Sequence, residues 1–162
     1  MAKIVDVIET ERLFFRGIIE EDAREIVAWR SDFDVYKYFK NPHKITIEEH
    51  LNWYQQNYLH NSNRFDWICI EKVSGQKIGV FGLIRNEVKA EVNYLLTVDA
   101  QHKGYAAEGI MRLVQYAADV WNIHQVIAEI HRNNEPSIAV VKKLGFKVKR
   151  TDGDYVIYSF EG

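Results

Sequence analysis

The order of secondary-structure patterns between residues 90 and 130 places the strongest constraint on the fold. A strand-like run at 90–98 (AEVNYLLTV) is followed by a helical pattern after Gly104 and by a second strand-like run at 124–130 (HQVIAEI). The apolar stripe of this helix consists of Ala106, Ile110, Leu113, Ala117 and Trp121. Parallel strands need a crossover connection of this kind, whereas antiparallel strands can be joined by tight turns. The sequence therefore predicts at least one parallel pair.

Patterns in the rest of the chain predict five more strands and three more helices. The strands are expected at 12–19, 64–72, 77–84, 147–151 and 154–160, and the helices at 20–30, from Thr46 onward and at 133–146. We therefore predict an α/β (α+β) fold, with a single domain over residues 1–162. Its mixed, mostly antiparallel sheet of about seven strands should carry helices on both faces.

Composition limits the partners of the protein. The 162 residues include 21 Lys and Arg against 23 Asp and Glu, so no overall electrostatic field attracts nucleic acid or an anionic membrane. The N-terminal MAKIVDVIETERL lacks a signal-peptide pattern, and no apolar run approaches the roughly 18 residues that a membrane span needs. We expect a cytoplasmic protein that binds neither nucleic acid nor membrane.

Several common catalytic motifs are absent from the sequence. It contains neither a GxxxxGK[ST] phosphate loop nor a GxSxG nucleophile motif. The six histidines lack the spacing of metal ligands, so no metal is expected. Cys69 is the only cysteine and lies in the apolar run FDWICI, which favours a buried hydrophobic role over a nucleophilic one.

The segment from Gln101 to Ala106, QHKGYA, separates the strand at 90–98 from the following helix. Gly104 has no Cβ and Ala106 is small, so the backbone can wrap tightly there. Consecutive N–H groups at a helix N-terminus can bind a pyrophosphate, and His102 and Lys103 could add charge or hydrogen bonds. An ordinary strand-to-helix turn has the same local pattern, so this segment alone leaves both interpretations open.

Two longer motifs resemble the GNAT superfamily of acyl-CoA-dependent N-acetyltransferases. AEVNYLLTVDAQHKGYAAEGI, starting at Ala90, resembles the fourth strand, pyrophosphate loop and helix of that family. NNEPSIAVVKKLGFK, starting at Asn133, resembles its later Asn to Leu-Gly-Phe motif. The order of the two motifs and their separation along the chain match those of the family, and the resemblance covers nearly the whole chain.

The resemblance implies that acetyl-CoA binds between splayed fourth and fifth strands, here the runs at 90–98 and 124–130. The backbone of Leu95 and Leu96 would pair with the pantetheine arm as an added strand would. The side chain of Asn134 would bond near the pantetheine. The residues assigned to the pyrophosphate are Gln101, His102, Lys103, Gly104, Tyr105 and Ala106.

The resemblance also suggests the catalytic groups. An alkylamine is mostly protonated at pH 7, so a base must remove a proton before the amine attacks the thioester. Glu91 matches the glutamate that many relatives carry on the fourth strand, although it could equally be an ion-pair partner. Many relatives have a Tyr as general acid where this chain has Val141. Tyr94, Tyr105 or water could protonate the thiolate instead, or it could leave unassisted.

The first half of the chain resembles acetyltransferases of nucleotide-linked deoxyamino sugars. The residues that suggest this acceptor are Trp29, Arg30, His50 and Trp53, although both tryptophans could simply be core residues. The segment TERLFFRG supports N-terminal acetylation of a ribosomal or other protein as an alternative. Polyamines and aminoglycosides rank lower, and a non-catalytic acyl-CoA-binding module is a third class. The expected partners are acetyl-CoA and a small amine, and a homodimer is left open.

Overall fold

A computed structural model describes residues 3–162, which form one sheet of eight strands with five α-helices. The strands are β1 (Ile8–Glu9), β2 (Leu13–Gly17), β3 (Arg64–Glu71), β4 (Lys77–Arg85), β5 (Lys89–Leu96), β6 (Gln125–His131), β7 (Lys147–Asp152) and β8 (Tyr155–Glu161). The helices are α1 (Ala23–Arg30), α2 (Phe33–Tyr36), α3 (Ile47–Trp53), α4 (Tyr105–Trp121) and α5 (Glu135–Lys143). A π-helical turn, Tyr54–Tyr58, extends α3.

The predicted mixed, mostly antiparallel sheet is confirmed. The strand order is β1-β2-β3-β4-β5-β6-β8-β7, and only β5 and β6 are parallel among the pairs of the described chain. The strand count exceeds the prediction because the two-residue β1 pairs with β2. The four-residue α2 was also not predicted, since one helical turn is too short to show a periodic apolar pattern.

The parallel pair is short and the two strands then separate. Residue pairs join β5 to β6 only from Lys89–Gln125 to Glu91–Ile127, yet β5 continues to Leu96 and β6 to His131. The separated part, from Val92 to Leu96 on one side and from Ala128 to His131 on the other, is called the β5–β6 gap below. The predicted splay of these strands is thus confirmed.

The two faces of the sheet have separate cores. Trp67, Phe81 and Val92 lie in the larger core, which α4 and α5 cover, and this side is called the α4 face. Ile68 packs with Ile26 of α1 and with the π-helical turn on the opposite side, the α1 face. Because side chains alternate along a strand, each position of β5 and β6 belongs to one face or the other.

Local sequence signals set the helix ends around the site. The Thr46 hydroxyl accepts a hydrogen bond from the Glu49 amide (3.0 Å), and the Glu49 carboxylate accepts one from the Thr46 amide (3.2 Å), so the predicted capping box is present. The Asn134 side chain caps α5 by accepting from the Ser137 amide at 3.4 Å. Gly145 ends that helix region with a φ of +98°, which suits glycine.

Close packing sets the position of α4 against the sheet. A Cβ on Gly109 would lie 2.4 Å from the ring of Phe81 on β4, so only glycine allows this approach. The N-terminus of α4 is thereby held beside the first residues of β4 and the last residues of β5. None of the helices between residues 3 and 162 is both long and apolar enough to cross a membrane.

Candidate active site

The β5–β6 gap exposes main-chain groups in the middle of the sheet. The Thr97 amide donates to the Ile78 carbonyl at 2.9 Å, and hydrogen bonding alternates along an antiparallel strand. Leu95 therefore directs its main-chain groups toward β4, whereas Tyr94 and Leu96 direct theirs toward the gap. Of the two residues expected to pair with pantetheine, this alternation favours Leu96. Its carbonyl already accepts a hydrogen bond from the Gln101 side chain at 3.2 Å.

The segment after β5 has the backbone that an anion cradle needs. His102 and Gly104 have φ values of +64° and +83°, which turn the chain sharply into α4. Gly104 is the N-cap of α4 and offers no side chain, so the first amides of the helix have no capping acceptor. His102 and Lys103 are exposed beside them, and Ala106 follows within the first turn. These features fit a pyrophosphate, and the assignment of the individual residues remains a prediction.

A brace formed by Thr10, Arg12 and Glu108 holds this loop to the start of β2. Arg12 Nε donates to Glu108 Oε1 at 2.7 Å, and the Thr10 hydroxyl also donates to this carboxylate. Arg12 Nη1 donates to the Lys103 carbonyl at 2.9 Å, and its guanidinium lies 4.4 Å from the centre of the Tyr105 ring. Sequence reasoning missed this role, because TERLFFRG was interpreted only as a strand and a family signature.

We expect Arg12→Ala to weaken acetyl-CoA binding by about tenfold, because charge-assisted hydrogen bonds of this kind contribute about 1.5–3 kcal/mol and position the loop. Isothermal titration with acetyl-CoA measures the effect. Arg112→Ala is the matched control, since Arg112 also joins α4 to the N-terminal segment but bonds the Glu9 carbonyl instead of the loop (3.1 Å). Equal losses in the two variants would contradict a specific role for the brace.

Glu91 lies on the α1 face at the point where β5 and β6 separate. Its neighbours Ala90 and Val92 are in the α4-face core, so alternation turns its half-buried side chain to the opposite side. Burial raises the pKa of Glu91, and the nearby Glu129 carboxylate raises it further, against smaller opposing effects of Lys40 and Arg64. A raised pKa suits a carboxylate that must accept a proton near neutral pH. The catalytic role of Glu91 remains a prediction.

Glu129 is the carboxylate that sequence reasoning missed. It lies on β6, two residues beyond the last pair with β5, and Ala128 and Ile130 on either side are in the α4-face core. Glu129 therefore shares the α1 face with Glu91, and it forms an ion pair with Lys40. The parallel register of β5 and β6, which brings these two acids to one edge of the gap, was the only signal that could have revealed it.

Tyr94 and Asn134 both contact Ser137, at the start of α5 on the α4 face. Tyr94 stacks on Phe81 with 5.5 Å between ring centres, and its hydroxyl lies 2.7 Å from the Ser137 hydroxyl of α5. Burial raises the pKa of Tyr94, so this phenol stays protonated at neutral pH and can act as a donor. Asn134 caps the same helix through Ser137. Tyr94 thus faces away from Glu91, and its role as general acid remains a prediction.

Tyr105, the other tyrosine considered as general acid, and Val141, which stands at the position of the relatives' Tyr, are differently placed. The hydroxyl of Tyr105 donates to Glu71 at the end of β3. Val141 is buried, with 1% of its surface exposed, and packs in the α4-face core. Of the two tyrosines considered, Tyr94 is therefore the one that borders the gap.

The predicted acceptor residues lie together on the α1 face. Trp53 contacts the rings of His50 and Tyr58, at centroid distances of 5.7 and 5.2 Å, and the Arg64 guanidinium lies 4.9 Å from its ring centre. Trp29 packs against the same core. The tryptophans thus have the core contacts that the alternative interpretation expected, and Trp53 is partly buried.

His50 and Arg30 are polar groups with few partners in this cluster. His50 is 3% exposed, and neither ring nitrogen has a hydrogen-bond partner among residues 3–162. Burial lowers the pKa of His50, so the ring is neutral at pH 7. Burial also lowers the pKa of Arg30, whose guanidinium lies 5.3 Å from the centre of the Phe39 ring. Within residues 3–162, no group of three or more His, Cys, Asp or Glu side chains is placed to hold a metal.

Comparisons with known proteins agree with this geometry. Residues 12–147 match the family model of the acetyltransferase (GNAT) domain. The chain is 27% identical over 146 residues to the uncharacterized N-acetyltransferase YoaA of Bacillus subtilis, covering 87% of this chain and 82% of that protein. It is 25% identical over 138 residues to spermidine N(1)-acetyltransferase of Escherichia coli, covering 83% and 72%.

A solved structure shows the same fold. Spermidine N-acetyltransferase from Vibrio cholerae, in complex with CoA and spermine, superposes with a TM-score of 0.80 at 18% identity, covering 93% of this chain and 94% of that one. Because the family model covers most of the sequence and the fold has the splayed parallel pair, the chain belongs to the GNAT family of acetyl-CoA-dependent acetyltransferases.

Proposed function

We propose that the protein transfers the acetyl group of acetyl-CoA to a small amine that arrives as a cation, and that Glu91 and Glu129 bind it. One observation carries the proposal. Glu129, which shares its side of the gap with Glu91, already holds an alkylammonium group, that of Lys40. A primary amine is protonated at pH 7, so a pair of carboxylates can both attract it and accept its proton.

The residues around the gap divide the work of direct transfer. Glu91 takes the proton from the ammonium, and the neutral amine attacks the thioester carbon. The Tyr94 hydroxyl lies on the opposite side of the strand and is the group that we propose donates a proton to the departing thiolate. The loop Gln101–Ala106 and the first amides of α4 hold the anionic end of acetyl-CoA.

Two acceptor classes have support of different kinds. The spermidine acetyltransferases among the relatives, together with the Glu91–Glu129 pair, favour a polyamine-like cation. The nucleotide-linked amino sugar expected from the sequence relies on stacking by Trp53, whose ring already contacts Tyr58 and Arg64, and on Arg30 as a partner for a pyrophosphate. We therefore place the cationic amine first and retain the amino sugar as the second candidate.

A thiol-release assay with matched variants tests this assignment. The panel contains spermidine, UDP- and dTDP-linked 3-amino and 4-amino sugars, and N-terminal peptides. For a cationic acceptor, Glu129→Gln should raise the acceptor KM about tenfold, since a hydrogen bond to a charged group contributes about 1.5–3 kcal/mol. Arg30→Ala should leave that KM within about twofold. If only the sugars are turned over, and Arg30→Ala rather than Glu129→Gln raises the acceptor KM, a nucleotide-linked amino sugar would replace the polyamine-like cation as the proposed acceptor.

Two further outcomes of this assay would support one of the alternative functions. Turnover of peptides alone would support N-terminal acetylation. No turnover of any amine, with acetyl-CoA binding intact, would favour the non-catalytic acyl-CoA-binding module.

A further inference from the structure

Lys40 occupies a place where the proposed function needs an acceptor amine. It lies between α2 and α3, and its ammonium pairs with Glu129 beside the β5–β6 gap. The Lys40 side chain is 66% exposed, whereas that of Glu129 is 18% exposed, so the lysine reaches from solvent to a mostly covered carboxylate. Glu91 also acts electrostatically on Lys40. A primary alkylamine is thus ion-paired with Glu129, one of the two carboxylates that would bind an external one, and lies in the electrostatic field of the other.

Three contacts hold the chain around Lys40 in this position. The Tyr155 hydroxyl of β8 donates to the Tyr38 carbonyl at 2.8 Å, and the Tyr38 ring lies 5.3 Å from the ring of His131 on β6. The Lys40 ammonium lies 5.4 Å from the centre of the Tyr155 ring. Since β6 forms one side of the gap and β8 pairs with β6, these contacts fix the segment 38–40 against that side.

We propose that Lys40 is an internal acceptor, which the enzyme acetylates on Nζ within the same molecule when no external amine is present. This inference rests on the proposed function, because it uses the same carboxylates and the same acetyl donor. An external amine must displace Lys40 from Glu129, so it competes with the reaction. Acetyl-Lys40 is neutral and cannot re-form the ion pair, which leaves the carboxylates free for external amines.

The step is balanced without another reactant. The ammonium of Lys40 transfers a proton to Glu91, and the free electron pair of Nζ attacks the thioester carbon of acetyl-CoA. The C–N bond forms, the C–S bond breaks, and Nζ loses a second proton, which the departing thiolate takes up as CoASH; Glu91 releases the first proton to water. The hydrogen bond to Glu129 raises the pKa of Lys40, so the reaction should be slow beside turnover of a good acceptor.

Isotope-labelled acetyl-CoA and peptide mass spectrometry test the inference. The purified protein is incubated without an acceptor, and acetylation of Lys40 is compared with that of Lys44, an exposed lysine on the same segment. Lys40 should gain acetyl groups at least tenfold faster than Lys44, although its raised pKa would make it the slower one in uncatalysed acetylation. The labelled fraction at a given time should not depend on protein concentration, as expected within one molecule. Spermidine should slow the labelling.

Matched variants connect the labelling to the site. Glu91→Gln and Glu129→Gln should each reduce Lys40 labelling to the rate of Lys44, with folding checked by thermal melting. If Lys40 is labelled no faster than Lys44 while an external amine is turned over, the inference is wrong and the proposed function stands. If no amine is turned over and Lys40 is not labelled, both are wrong. Labelling that rises with protein concentration would show transfer between molecules and would also overturn the inference.

Discussion

Replacing Glu91 by glutamine is expected to lower kcat by about 10²- to 10⁴-fold, because general base catalysis typically contributes that much. The side chain keeps its size, so the affinity for acetyl-CoA should stay near that of the wild type. Steady-state kinetics and isothermal titration measure the two quantities. Glu87→Gln, in the exposed turn between β4 and β5, is the control and should retain full activity. An unimpaired kcat in Glu91→Gln would direct the search to another base.

The pKa of Glu91 also predicts how kcat depends on pH. Glu91 must be ionised to accept a proton, so kcat should be low below the raised pKa of Glu91 and should increase as the pH rises through it. Glu129→Gln removes a like charge that raises this pKa, so the acidic limb of the profile should move to lower pH. A limb that stays in place or moves to higher pH would show that the profile belongs to a different group.

Gly104→Val is expected to abolish most of the stabilisation by acetyl-CoA. A ligand at 100 times its Kd raises the free energy of unfolding by about 2.7 kcal/mol, which a melting curve detects. Gly104 has a φ of +83°, which a β-branched residue rarely adopts, and the added side chain would lie in the loop that is expected to hold the pyrophosphate.

Gly153→Val is the matched control for this variant. Gly153 also has a positive φ, +60°, but it lies in the β7–β8 turn with no atom within 4 Å of an added Cβ. Its variant should lose stability from the same backbone strain and keep the melting shift with acetyl-CoA. A full shift in Gly104→Val would remove the loop from the binding site, and the absence of any shift in the wild-type protein at millimolar acetyl-CoA would contradict binding itself.

Much of the fold was predictable because the decisive signals are local. The capping box at Thr46, the N-cap at Asn134 and the glycine at 145 each specify a backbone conformation within a few residues. The helix crossover between β5 and β6 specified the parallel pair. The two-residue β1 and the single turn of α2 were missed because neither is long enough to show a period.

The site was less predictable because its electrostatics depends on contacts between distant residues. Lys40 pairs with Glu129, 89 positions later in the chain, and Arg12 with Glu108, 96 positions later. No pattern along the sequence reports such pairs. The tryptophans were ambiguous for a different reason, because an aromatic residue at helical spacing can equally pack in a core or border a ligand. In the structure, Trp53 has the contacts of a core residue.

The short pairing of β5 with β6 also has a mechanical consequence. Within residues 3–162, three residue pairs form the only ladder between the group β1 to β5 and the group β6, β8 and β7, so the sheet consists of two plates with a narrow hinge. Small rotations about this hinge would change the width of the gap while each plate keeps its own hydrogen bonds. An extended molecule bonded to both inner edges would lock the plates together. Binding in the gap would therefore stiffen the whole sheet, including strands that never touch the bound molecule.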